Sequence, residues 1–109
     1  MHPVEKYIEA VQEGNARKVA DLFTEDGVFH DVAVYEFRGF EIRNQGREHI
    51  YQGFINIFGS GLADVEKLSY EGDTVRYRVS KNGISKVCLG TGKVENGLLK
   101  EYVTVLAEE

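Results

Sequence analysis

Hydrophobic residues in three segments of the first half recur at helical spacing, while those of the second half alternate with the period of a strand. Val4, Tyr7, Ile8 and Val11 follow the i, i+3, i+4, i+7 rule and predict a first helix with one apolar stripe. Pro3 suits its first turn, where the missing N–H is not needed, and Glu5 complements the helix dipole there. Gly14 is placed to end it and Asn15 to cap a second helix over about 16–23, with Val19, Leu22 and Phe23 as its stripe. Thr24-Glu25-Asp26-Gly27 reads as a tight acidic turn leading into a first strand, about 27–34. Residues 35–45 alternate weakly around Gly39 and predict a short hairpin. A third helix, about 47–58, puts Ile50, Phe54, Ile57 and Phe58 on one face, and Gly59-Ser60-Gly61 ends it.

The remainder predicts four strands, 65–70, 74–81, 84–95 and 98–107, joined by tight turns. Asn82-Gly83 and Asn96-Gly97 are strong hairpin signals. Val75, Tyr77 and Val79 share the inner face of their strand, with Arg76 and Arg78 outside. Gly90 and Gly92, two apart in the longest strand, predict a bend or room for something to approach. Helices followed by an antiparallel meander make one α+β domain over 1–109. In this reading a strongly bent antiparallel sheet wraps around three N-terminal helices. The cavity between them is expected to be lined by Tyr7, Val11, Phe23, Phe29, Asp31, Phe54, Val75, Tyr77, Cys88 and Tyr102, a small-molecule pocket in composition.

Asp31 stands out in that list. Aspartate is disfavoured in strands, and an ionised carboxylate within a core is costly unless paired. The alternatives are a surface position or an ion pair with Arg38 or Arg43. Its neighbour His30 is expected on the opposite face. A His30–His49 metal site lacks a third ligand at useful spacing, so no metal is expected. His2 is expected to be disordered.

Composition narrows the function. The chain of 109 residues carries a net charge of −5 and has no basic run, which argues against nucleic acid and anionic membranes as partners. One cysteine, Cys88, leaves no internal disulfide. No run approaches the length of a membrane helix, and the N-terminus has no secretory pattern, so the cytoplasm is the expected location. Val103 and Val105, facing outward from the last strand, predict an apolar patch covered in a homodimer.

The order of elements resembles the nuclear-transport-factor-2-like superfamily of cone-shaped, cystatin-like α+β rolls, which includes SnoaL-like polyketide cyclases and ketosteroid isomerases. Tyr7-Ile8-Glu9-Ala10-Val11 with Gly14-Asn15, Asp26-Gly27-Val28-Phe29-His30-Asp31 and Gly46-Arg47-Glu48-His49-Ile50 are similar to segments of bacterial ketosteroid isomerases. The resemblance implies a cofactor-free isomerase or cyclase acting on a small apolar, steroid- or polyketide-like molecule. Asp31 would move a proton between carbons and Tyr7 would donate a hydrogen bond to the carbonyl oxygen; that pairing of roles is the well-known chemistry of ketosteroid isomerase. The alternative is a non-catalytic binding or dimerisation module. The isomerases add a second, protonated acid on a late strand. That position falls here on Gly90, or on Leu89 or Thr91, and none of these is an acid.

Overall fold

The first helix, α1 (Pro3–Glu13), starts at His2, whose Nδ1 accepts a hydrogen bond from the Val4 N–H at 3.1 Å. His2 is therefore an ordered N-cap, contrary to the expected disorder, and its ring lies 5.9 Å from that of Tyr70. In this computed structural model residues 1–107 are described; Glu108 and Glu109, the last two of the expected domain, lie outside the described residues. Asn15 caps α2 (Ala16–Ala20), accepting from the Lys18 N–H at 3.0 Å. The other elements are β1 (Phe23–Asp31), α3 (Tyr35–Arg38), β2 (Ile42–Gln45), α4 (Arg47–Gly59), β3 (Asp64–Glu71), β4 (Thr74–Lys81), β5 (Ile84–Glu95) and β6 (Leu98–Leu106).

The fold is α+β, with one curved six-stranded sheet in the order β2-β1-β6-β5-β4-β3. The meander from β3 to β6 is antiparallel, as is the β1–β2 pair; β1 and β6 run parallel. That parallel pair explains why the second helix is shorter than its apolar stripe predicts. Leu99 N–H donates to the Leu22 carbonyl at 2.7 Å, and Phe23 sits beside Leu99. The Arg47 guanidinium then donates twice to the Phe23 carbonyl, at 2.9 and 2.7 Å. Pairing across the sheet wins over helical spacing at Phe23. The expected acidic turn is instead an irregular start to β1, with the ladder shifting between Phe23 and Val28. Gly27 lies in that strand, where an added Cβ would meet the Leu99 carbonyl oxygen at 3.0 Å.

β1 also ends three residues sooner than expected. Asp31 Oδ1 accepts the Val34 N–H at 2.9 Å, turning the chain into α3. The predicted hairpin over 35–45 is thus a single helical turn followed by β2, which pairs with β1. The two Asn-Gly hairpins form as expected, with Asn82 and Asn96 at φ +53° and +51°.

Tyr7, Phe29, Phe54 and Tyr102 form the aromatic centre of the core. Phe29 and Tyr102 are stacked within 4° at 5.8 Å, and Tyr7 lies 4.3 Å from Tyr102. On α4 the exposed face ties back to α2, where Arg17 bonds Glu48 at 2.8 Å and stacks 3.8 Å over the Tyr51 ring. Gln12 of α1 reaches the Val65 carbonyl of β3 at 2.9 Å, which fixes the helix across the sheet.

Candidate functional site

The helical stripe of α1, the end of β1 and the inner faces of β4 and β5 converge on one apolar cavity of about 110 Å³. α1 contributes Tyr7, Ile8 and Val11, and α4 contributes Phe54, Ile57 and Phe58. The sheet supplies Phe29, Asp31, Val65, Tyr77, Val79 and Cys88. Seven of the ten residues expected at a pocket therefore share its wall: Tyr7, Val11, Phe29, Asp31, Phe54, Tyr77 and Cys88. Phe23, Val75 and Tyr102 do not. Each is wholly buried in the core, Phe23 against Phe29, Val75 opposite Gly90, and Tyr102 behind Tyr7. Alternation assigns a residue to the inner face but not to its cavity-facing end, and these three lie where the core is closed.

Asp31 is the one carboxylate in the wall, and no cation bonds it among the described residues. Oδ1 holds the turn into α3. Burial raises its pKa from 3.8 to about 6, against the opposing pull of the Val34 N–H, the nearby His30 and the Ala33 N–H. The alternative of an ion pair with Arg38 or Arg43 is not realised. His30 points away, bonding Glu41 at 3.0 Å, and His49 bonds the Gln45 carbonyl at 2.8 Å. Among the described residues no group of three or more His, Cys, Asp or Glu is close enough to hold a metal ion.

Tyr7 carries a hydroxyl with no hydrogen-bond partner among the described residues, and it borders the cavity. Burial raises its pKa well above the ordinary phenol value, reinforced by Tyr77, Asp31 and Cys88. It is therefore a neutral donor at any physiological pH. The Cys88 thiol is likewise pushed up, to about 12, by burial and then by Asp31, so it stays protonated. Behind the wall runs a chain of hydroxyls. Tyr102 donates to Tyr77 at 3.3 Å, and Tyr77 and Thr104 share a bond of 2.6 Å.

Gly90 explains both the space and the missing acid. Its inner side is filled by the Tyr102 phenol, and a Cβ there would lie 2.6 Å from Tyr102 Cζ. The room that the glycines predict is taken by the protein itself, at Gly92 by Val4 and Leu99.

Sequence reasoning missed Thr104, Lys81 and the α3 residues Phe37 and Arg38. Thr104 follows Tyr102 by two on the inner face, and Lys81 follows Val75, Tyr77 and Val79 in the same way, so alternation carried both signals. Phe37 and Arg38 were hidden because the Asp31 turn converts a strand-like pattern into a helix.

Comparisons with known proteins agree with this architecture. A family model described as the SnoaL-like domain matches residues 4–102. No curated protein sequence matches the chain. A Catenulispora acidiphila protein with a ketosteroid isomerase-like fold, solved with trimethylamine, is similar at TM-score 0.73 and 16% identity, over 96% of this chain and 85% of that one. A candidate polyketide cyclase from Sinorhizobium meliloti is similar at 0.71 and 20%, over 94% and 93%. A cystatin-like protein of unknown function from Methylobium petroleophilum is similar at 0.74 and 11%, over 98% and 74%. At these identities the likeness is one of fold.

Proposed function

The chain belongs to the SnoaL-like domain family, and on that premise we propose that it is a cofactor-free enzyme of the isomerase or cyclase type, moving a proton next to a carbonyl of a small apolar, steroid- or polyketide-like substrate. The observation that carries this reading is a lone carboxylate, its pKa raised to about 6, sharing an apolar cavity with a phenol whose hydroxyl has no hydrogen-bond partner among the described residues. Asp31 takes a proton from the carbon beside the carbonyl. The C–H electron pair becomes the enolate double bond, and charge moves onto the carbonyl oxygen. Tyr7 donates a hydrogen bond to that oxygen. Asp31, now a carboxylic acid, returns the proton to another carbon and is regenerated. A base of pKa near 6 is ionised at pH 7 yet stronger than a solvated carboxylate.

The test is an absorbance assay for conjugation of a β,γ-unsaturated 3-ketosteroid by the wild type, Asp31→Asn and Tyr7→Phe. Conjugation by the wild type alone supports the assignment; unchanged turnover in Asp31→Asn overturns it.

A second reading, a non-catalytic binding module, is favoured by the aromatic walls around Asp31, which also suit a small amine cation. The trimethylamine of the Catenulispora protein is such a molecule. Arg38 and Lys81 at the cavity wall oppose it by repulsion. Trimethylammonium is therefore expected to leave the melting temperature unchanged. Stabilisation that vanishes in Asp31→Asn, with no turnover, would favour the binding module instead.

The chain is also proposed to pair as a homodimer through the outer face of the sheet. Val105 is 39% exposed there and stands beside Leu89 of β5, next to Val103. Val105→Glu is expected to convert a dimer to a monomer in analytical ultracentrifugation. A wild type that sediments as a monomer removes this proposal. No helix is long and apolar enough to cross a membrane among the described residues; the expected cytoplasmic location is a proposal on the same footing.

A further inference from the structure

We infer that Arg38 and Lys81 select a substrate bearing a carboxylate at the end remote from its reacting carbonyl; this rests on the reading of the cavity as a substrate site. The side chains of the wall are apolar except for those of Asp31, Tyr7, Tyr77, Cys88 and two cations. Those cations, Arg38 and Lys81, also line an adjoining surface hollow with Phe37, Ser60 and Ile84. They therefore mark where the cavity meets the outside. Both are half-buried.

Neither cation meets a carboxylate among the described residues. Among the described residues Arg38 bonds only the Ser60 hydroxyl, at 2.5 Å, and Lys81 only the Gly61 carbonyl, at 2.8 Å. Among the described residues five of the thirteen Lys and Arg side chains, Arg17, Lys18, Lys67, Lys93 and Lys100, pair with a carboxylate; Arg38 and Lys81 are among those that do not, and they are the two that line the cavity. The two anchors are consecutive residues, so a guanidinium and an ammonium are held on one loop. Each keeps donors to spare, since Arg carries five N–H groups and Lys three. A carboxylate between them would gain charge-assisted bonds and the fork geometry of Arg.

Position fits chemistry. Tyr77, Val79 and Lys81 succeed one another on the inner face of β4, so the Lys81 backbone lies about 13 Å along the strand from Tyr77. The ladders set Asp31 level with Thr104, Gly90 and Val75, six residues along β4 from Lys81, so a ligand whose carbonyl lies at Asp31 and that follows β4 extends its far end toward Lys81. That separation also keeps its carboxylate away from the charge of Asp31. The net charge of −5 disfavours anions at long range, so any preference for an acid must arise at the mouth.

Matched probes test this by calorimetry: 6-acetyl-2-naphthoate and its neutral carboxamide, titrated into the wild type and into Arg38→Gln/Lys81→Gln. The acid is expected to bind the wild type roughly tenfold or more tighter than the amide at low salt. That preference should shrink as salt is raised and disappear in the double variant, where the amide serves as the control for an intact cavity. Equal binding of acid and amide by the wild type, or an acid preference that survives in the double variant, overturns the inference and leaves the proton-transfer reading untouched. Binding of neither probe overturns the inference and counts against the cavity as a substrate site.

Discussion

Asp31→Asn is expected to lose nearly all turnover and, at pH 8, to melt higher than the wild type. The two effects have one cause. A carboxylate that works as a base in an apolar cavity is kept from water, and the folded state bears the cost of its charge. Asn retains an oxygen to accept the Val34 N–H, so the turn that ends β1 should persist. The loss of a general base predicts a fall of about 10²–10⁴-fold in kcat. The stability effect follows from linkage. Asp31 has a folded pKa of about 6, above its ordinary 3.8. Below pH 4 the carboxyl is neutral in both states and nothing is lost. As pH rises, the unfolded chain releases its proton first, so the folded state weakens between about 4 and 6 and then levels off. A rise from 3.8 to about 6 corresponds to about 2–3 kcal/mol. The variant should therefore gain on the order of 10 °C in Tm at pH 8 and lose that advantage below pH 4. Turnover by the wild type should rise through pH 6 and flatten above 7. Melting curves across pH, beside the activity assay, check both. A variant no more stable at pH 8 than the wild type would mean that Asp31 is solvated, and so no better a base than a surface carboxylate.

The same residue marks the limit of what the sequence carries. Helix stripes, alternation and Asn-Gly turns are local patterns, and they predict α1, α4 and the β3–β6 meander within about a residue or two. Elements decided by distant partners are not local. Phe23 has the spacing of a helix and is a strand because Leu99 and Arg47 hold it there. Val32 to Arg38 has strand character and leaves the sheet because the Asp31 side chain caps a turn. That cap leads the chain into α3, which carries Arg38 at the cavity wall. Asp31 and Tyr7 could be singled out because a carboxylate in a strand and a phenol on a helix stripe are conspicuous in a one-dimensional pattern. Tyr102 could not be separated from Tyr77 in this way. Both alternate onto the inner face, and only the closed packing around Gly90 withdraws one of them from the cavity.

Gly90→Ala is expected to destabilise the fold by about 3 kcal/mol or more, at the upper end of the cost of overpacking. The methyl group would lie 2.6 Å from Tyr102 Cζ and press on its hydroxyl. A flexible side chain would swing aside, but this ring has nowhere to go. Phe29 stacks on it at 5.8 Å and Tyr7 lies 4.3 Å away. Moving it would also break the bond from its hydroxyl to Tyr77. Denaturant unfolding should therefore show a large loss for Gly90→Ala, and a much smaller one when the same change is made in a Tyr102→Leu background. That non-additivity is the signature of direct contact. Additive effects, or a Gly90→Ala protein as stable as the wild type, would mean that the phenol does not occupy the space. The outcome bears on mechanism as well as packing. If Tyr102 fills the inner side of Gly90, Gly90→Asp cannot supply a second acidic donor there without displacing the core. The enolate would then have to rely on Tyr7 alone, unless Tyr77 turns its proton toward the cavity while its oxygen accepts from Tyr102 and Thr104.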